Sequence, residues 1–132
     1  MLGQSGAPMA RYCTTVNVPT TARYTFDYLS RFDNSPGWDL GVVEAAPLSR
    51  GPVGSGSRFR VVAQFIGGTM PLEHEIIEFD PPHRFVVQAI NATMTSRDTI
   101  RVKPGSDGGA TWRWAPRTRA APSSPSRKVS SP

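Results

Sequence analysis

Residues 58–65 read RFRVVAQF, and their alternation decides what kind of chain this is. Phe59, Val61, Ala63 and Phe65 fall on one side of an extended backbone, and Arg58, Arg60, Val62 and Gln64 on the other. Successive strand side chains point to opposite faces, so this stretch predicts a strand with one buried and one wet face. The segments around it repeat that logic. RGPVGSGS (50–57) is a Gly- and Pro-rich turn, and IGG (66–68) makes a tight hairpin into TMPLEHEIIEF (69–79). DPPH (80–83) turns the chain into RFVVQAI (84–90), and NA (91–92) leads into TMTSRDTIRV (93–102). There Met94, Ser96, Asp98, Ile100 and Val102 share a face. KPGSDGG (103–109) then turns into ATWRW (110–114). Connections this short join antiparallel neighbours, because parallel ones need crossovers of a dozen residues or more.

Upstream, GVVEAAPLS (41–49) reads as a further strand and RYCTTVNV (11–18) as the first, stopped by Pro19. Between them lies PTTARYTFDYLSRF (19–32). Thr20 or Thr21 can cap a helix by accepting from a free backbone N–H, and Thr25, Phe26, Leu29 and Phe32 recur at helical spacing. Pro36 and Gly37 break the pattern, and Trp38 follows as a plug for one end of a core. The expected fold class is α+β: one strand, one or two short helices, then six strands. Among the six, the parity of PLEHEIIEF (71–79) conflicts, since Leu72, His74 and Ile76 compete with Ile77 and Phe79 for the inner face; a bulge would allow both.

The 132 residues suit a single core, and one cysteine, Cys13, allows no internal disulfide and reads as a small core residue. No apolar run is long enough to span a bilayer, and MLGQSGAP (1–8) lacks the regions of a signal peptide, so the expected location is cytoplasmic. The net charge of +5 is concentrated at the end. Arg117, Arg119, Arg127 and Lys128 contribute +4 with no acid after residue 114, which leaves residues 1–114 at +1 and predicts no basic binding face on the folded body. Pro116 is expected to stop the last strand. Four prolines in the last 17 residues, with Val129 the one large apolar side chain, exclude an amphipathic helix there. The expected organisation is a flexible N-terminus (1–9), a domain (10–114) and a disordered basic Pro/Ser/Arg tail (115–132). Such a tail has no interleaved aromatics, so no specific nucleic-acid binding is expected.

HEIIE (74–78) approaches the zinc-protease pattern H-E-x-x-H, but Glu78 replaces the second His. On a strand the two positions also stand roughly 13 Å apart, so no metal is expected. GPVGSG (51–56) lacks the Lys-Ser/Thr and helix of a phosphate cradle. The candidate catalytic groups are His74, flanked by Glu73 and Glu75, and Asp98, which shares its face with Ile100. A positioned acid or base contributes on the order of 10² to 10⁴ in rate, and an inward Asp needs either a partner or a raised pKa. A strand His between two Glu is more often a solvated cross-strand partner, which makes Asp98 the sharper of the two clues.

ARYCTTVNVP (10–19), FDYLSRFDNSPGWDLGVVEA (26–45), GPVGSGSRFRVV (51–62), PLEHEIIEFDPPHRFVV (71–87) and DTIRVKPGSDGGAT (98–111) resemble the START-like or SRPBCC superfamily of helix-grip proteins, which includes polyketide cyclase/dehydrase and lipid-transfer types. The resemblance spans about residues 10–111. It implies a curved antiparallel sheet of about seven strands gripping a long C-terminal helix, with an apolar ligand cavity between them and no cofactor. Carried onto this chain, the ligand-binding candidates are Trp38 at the mouth, Phe59, Val61, Phe65 and Ile100, with Asp98 beside them. The implied function is binding of a small hydrophobic, lipid- or polyketide-like ligand, with cyclase/dehydratase activity if any. This chain departs from the pattern after Thr111, where residues of low helical and apolar content stand in place of the closing helix. Arg, Ala, Pro and Ser are also what GC-rich codons yield out of frame, so a frameshift or truncation near Trp112 is one expectation. The alternative function is a non-enzymatic interaction protein that uses an exposed sheet face for self-association, as a homodimer.

Overall fold

The computed structural model describes residues 13–91 and 94–120. Seven strands form one antiparallel sheet in the order β1-β7-β6-β5-β4-β3-β2. They are β1 (Thr14–Val18), β2 (Val42–Pro47), β3 (Arg58–Phe65), β4 (Gly68–Asp80), β5 (Arg84–Ile90), β6 (Met94–Pro104) and β7 (Ala110–Ala120). From β2 to β7 every strand pairs with its sequence neighbour, as the short turns require; the one non-local pairing joins β1 to β7. β3 coincides with the alternating stretch 58–65.

One α-helix, α1 (Ala22–Ser30), and a 3-10 helix (Phe32–Gly37) connect β1 to β2. Thr21 is the N-cap, and its Oγ1 accepts from the Tyr24 N–H at 3.1 Å. Thr25, Phe26 and Leu29 of α1 and Phe32 just beyond it are buried, as their spacing predicts. α1 packs over β6 and β7, while the 3-10 helix packs over β2 and β3. Phe26 meets Phe79 at 5.4 Å and Phe85 at 5.6 Å, so the helix is clamped against the middle of the sheet.

The conflict of parity in β4 is resolved by a register shift between Ile76 and Glu78. Before it, His74 and Ile76 are buried and Leu72 is half-buried; after it, Phe79 joins the same core. One extra residue thus turns Phe79 inward beside His74 and Ile76, while Ile77, at the shift itself, is half-buried and outside that core. β6 keeps strict alternation, with Asp98, Ile100 and Val102 buried.

Three expectations are corrected. Pro116 does not end the last strand: β7 continues to Ala120, so residues 115–120, expected in the tail, pair with β6. Pairing of β1 with β7 is described from Thr14↔Trp114 to Val18↔Ala110, and Pro116 stands opposite Asp98 of β6. Residues 1–9 and 121–132 lie outside the described residues. Cys13, expected in the core, is exposed.

The third correction concerns charge. β7 carries Arg117 and Arg119 onto the outer face, opposite Arg97 and Thr95 of β6. With Arg101, Lys103 and Arg113 they place six cations and no acid on the outward positions of two neighbouring strands. The folded body therefore does have a basic face. Elsewhere the outer face is balanced by the exposed pairs Arg58–Glu73, Arg60–Glu44 and Arg84–Glu78.

Candidate functional site

The inner, concave face is built in rows across the strands. Register places Ile100, Phe85 and Phe79 in one row, Asp98, Val87 and Ile76 in the next, and Ser96, Ala89, His74 and Phe59 in a third. Asp98 and His74 therefore share this face, two strands and one row apart, about 12 Å between backbones. They do not form a direct pair. Each is instead a polar group set singly into an apolar wall.

His74 is 7 % exposed, and its ring lies 5.3 Å from that of Phe32. Burial lowers its pKa to about 4, opposed weakly by the Leu72 carbonyl, so the imidazole is neutral at physiological pH. Its Nδ1 is buried and has no hydrogen-bond partner. Asp98 is 8 % exposed, and burial pushes its pKa up to about 6. The indole N–H of Trp114 lies near enough to the carboxyl to lower that value somewhat, yet Nε1 makes no hydrogen bond of good geometry. The Asp39 charge pushes it up again, and the Ser96 hydroxyl is a long 3.4 Å away. Asp39 itself is raised by burial. Two carboxyl groups from distant parts of the chain thus feel each other across the cup.

Trp38 caps the 3-10 helix and stands edge-on to Phe32 at 5.7 Å, Trp112 at 5.5 Å and Trp114 at 5.2 Å. It is partly buried and locks the 3-10 helix onto β7 rather than standing open at a mouth. Phe59, Val61 and Ile100 are buried in the cluster formed with α1 and the 3-10 helix. Phe65 has the same parity as Phe59 and Val61, but it ends β3 and is 51 % exposed. The five apolar candidates therefore share one continuous face, four within the packed core or against it and one at its open end. The charge influence of Asp39 on Asp98 and the Trp38–Trp114 contact carry no short-range sequence signal, since each joins the loop before β2 to a strand far along the chain.

Residues 9–130 match the model of the family described as polyketide cyclase/dehydrase and lipid transport. The chain belongs to this family. The match runs through residue 130, beyond the Thr111 limit of the resemblance drawn from sequence. Solved structures agree on the fold. A START superfamily protein from Mycobacterium smegmatis is similar with a TM-score of 0.69 at 13% identity, covering 87% of this chain and 80% of that one. A protein from Deinococcus radiodurans gives 0.65 at 13% identity, over 84% and 83% of the two chains. The di-domain ARO/CYC BexL from the BE-7585A biosynthetic pathway gives 0.62 at 21% identity, with 85% of this chain lying on 36% of that one. At these identities the likeness is one of fold. None of the curated proteins compared with the chain matches it in sequence. Among the described residues no cluster of His, Cys, Asp or Glu could hold a metal ion, and no helix is long and apolar enough to cross a membrane.

Proposed function

We propose that the concave face binds a small, mostly apolar ligand that carries at least one polar group. The observation behind this reading is two buried polar side chains on an otherwise apolar face: His74, whose Nδ1 has no partner, and Asp98, whose hydrogen bond to Ser96 is long at 3.4 Å. Burying a polar atom without a partner costs about 1–3 kcal/mol, so such groups are retained where something else satisfies them. A ligand oxygen or hydroxyl would do so at Asp98 while its apolar body covers the face lined by Trp38, Phe59, Val61, Ile100 and, at the open end, Phe65. Membership of a family whose description joins cyclase/dehydrase and lipid transport supports the same ligand class.

Within this reading Asp98 is the stronger acid/base candidate. With a pKa of about 6 it exchanges its proton near neutral pH, where general catalysis is most effective, whereas His74, at about 4, is a weak base. A cyclase or dehydratase would use the Asp98 carboxylate to take a proton next to a carbonyl. The neutral His74, too far away to share that proton, would contact another part of the ligand.

The three tryptophans supply the assay. Saturable quenching of their emission by a polycyclic phenol or a fatty acid, weakened several-fold in Asp98→Asn, is the expected result. Absence of saturable binding of any such ligand to a monodisperse protein would overturn the reading. A soluble, cytoplasmic carrier or enzyme acting as a monomer is part of the same proposal.

A further inference from the structure

The most exposed of the large apolar side chains lie toward one end of the sheet, while Tyr24 and Tyr28 on α1 and Leu48 after β2 are exposed elsewhere. Ile66, at the tip of the β3–β4 hairpin, is 98% exposed, and Phe65 beside it is 51% exposed. Leu40 is 95% exposed and stands at the same end, since the next residue, Gly41, accepts from the backbone N–H of Gln64 at 2.8 Å. Ile90, which ends β5, is 64% exposed and also belongs to this end. None of these exposures helps folding, because an apolar side chain in water forfeits its burial energy.

The same end of β6 and β7 carries Arg97, Arg117 and Arg119 on the outer face. Arg97 stands directly opposite Arg117, and like charges in that position destabilise a sheet. Arg97 donates to Gln88, and among the described residues neither Arg117 nor Arg119 meets an acid. The acids that share these outer rows, Glu75 and Glu73, stand on β4, two strands from β6; Glu73 is paired with Arg58, and Glu44 on β2 with Arg60.

We propose that the open end of the sheet docks on an anionic lipid bilayer, with Ile66 and Leu40 inserted among the acyl chains and Arg97, Arg117 and Arg119 on the headgroups. Apolar tips on separate turns suit a fluid phase that closes around each one, and basic side chains flanking them suit a negatively charged surface. A second copy of the chain fits less well, because a two-fold interface would set these cations against their own kind. Nucleic acid fits less well too, since the basic strip has no aromatic side chain for bases to stack on. The proposal leans on the ligand reading in one respect: a carrier of apolar molecules docked in this way holds the end of its concave face against the lipid.

The test is sedimentation of the full chain with phosphatidylcholine vesicles, with and without phosphatidylserine. Retention on the anionic vesicles is expected to fall as salt rises. Ile66→Asp should weaken it by about ten- to a hundred-fold, the size expected for losing one inserted aliphatic side chain. The double variant Arg117→Glu, Arg119→Glu should weaken it at least about tenfold and flatten the salt dependence. Tryptophan quenching by a soluble ligand should survive Ile66→Asp. Failure to bind anionic vesicles, or binding indifferent to Ile66→Asp, overturns the proposal even if ligand quenching persists. Retention on DNA without retention on vesicles, or a dimer that Ile66→Asp dissociates, overturns it as well. Vesicle binding without ligand quenching would leave this docking in place and sink the ligand reading alone.

Discussion

Asp98 and His74 should make opposite and nearly equal contributions to the pH dependence of stability, so that each hides the other. Asp98 has a folded pKa of about 6 against an ordinary 3.8. As pH rises from about 4 to 6 the unfolded chain has already lost this proton while the folded one keeps it, so stability falls with rising pH across that window. The full difference corresponds to ~3 kcal/mol. His74 has a folded pKa of about 4 against an ordinary 6.5. As pH falls from about 6.5 to 4 the unfolded chain gains a proton that the buried ring refuses, so stability falls with falling pH, again by ~3 kcal/mol. The wild-type protein should therefore show a plateau between about pH 4 and 6.5 on account of these two groups. Asp98→Asn removes one slope and should lose stability as pH drops from 6.5 to 4; His74→Gln removes the other and should lose stability as pH climbs from 4 to 6. The assay is urea unfolding followed by tryptophan emission at several pH values, with unchanged m-values as the check on two-state behaviour. A ~3 kcal/mol change corresponds to roughly 10–15 °C in melting temperature, well outside error. Parallel stability profiles for the wild type and both variants would refute the assignment of either group to a low-dielectric site.

Removing the helix cap with Thr21→Ala should cost ~1 kcal/mol, since the Tyr24 N–H loses its acceptor; the same urea titration at neutral pH measures it. Gly109→Ala should be severely destabilising, by ~2 kcal/mol or more, because its Cβ would stand 2.3 Å from the Val18 carbonyl oxygen on the adjacent strand. Gly37→Ala is the control: its Cβ would meet only the Tyr28 hydroxyl at 2.6 Å, the far end of a side chain that can swing aside, and melting should fall by the equivalent of less than ~1 kcal/mol. Phe32→Ala should cost ~3–5 kcal/mol by opening a cavity among Phe59, Trp38 and His74, and NMR titration should show the His74 pKa moving back up as water reaches the ring.

What could be read from the chain was whatever local periodicity controls. The strand at 58–65, the capped helix and the inward face of β6 all follow from alternation, helical spacing and a threonine at the right place. The bulge in β4 was legible as a conflict between two apolar sets that only an inserted residue could reconcile. Local rules misled at Pro116, because a proline's effect on a strand depends on which neighbour its nitrogen faces, and no local window contains that neighbour. The same misplaced boundary hid the basic strip: Arg117 and Arg119 counted as tail charge until the strand carried them beside Arg97. For the candidate site, parity was enough to turn Asp98 and His74 inward. The influence of Asp39 on Asp98 and the stacking of Trp38 on Trp112 and Trp114 join segments remote in sequence, which no window of a few residues contains.

The pairing of β1 with β7 also sets a timetable. Asn17 and Thr111, hydrogen-bonded through their side chains at 2.9 Å, stand 94 positions apart, and β7 arrives last. At about 5–20 residues per second a ribosome needs roughly 5–20 s to make that span. Through this interval the first strand lacks its described neighbour, and α1 lacks β7 and, for most of it, β6. Phe26 and Phe32 can meet Phe79, Phe85 and Phe59 earlier, but the cover that β6 and β7 give α1 waits for their hairpin to leave the exit tunnel, so yield in the cell should depend on holding chaperones and on the speed with which that hairpin's codons are read.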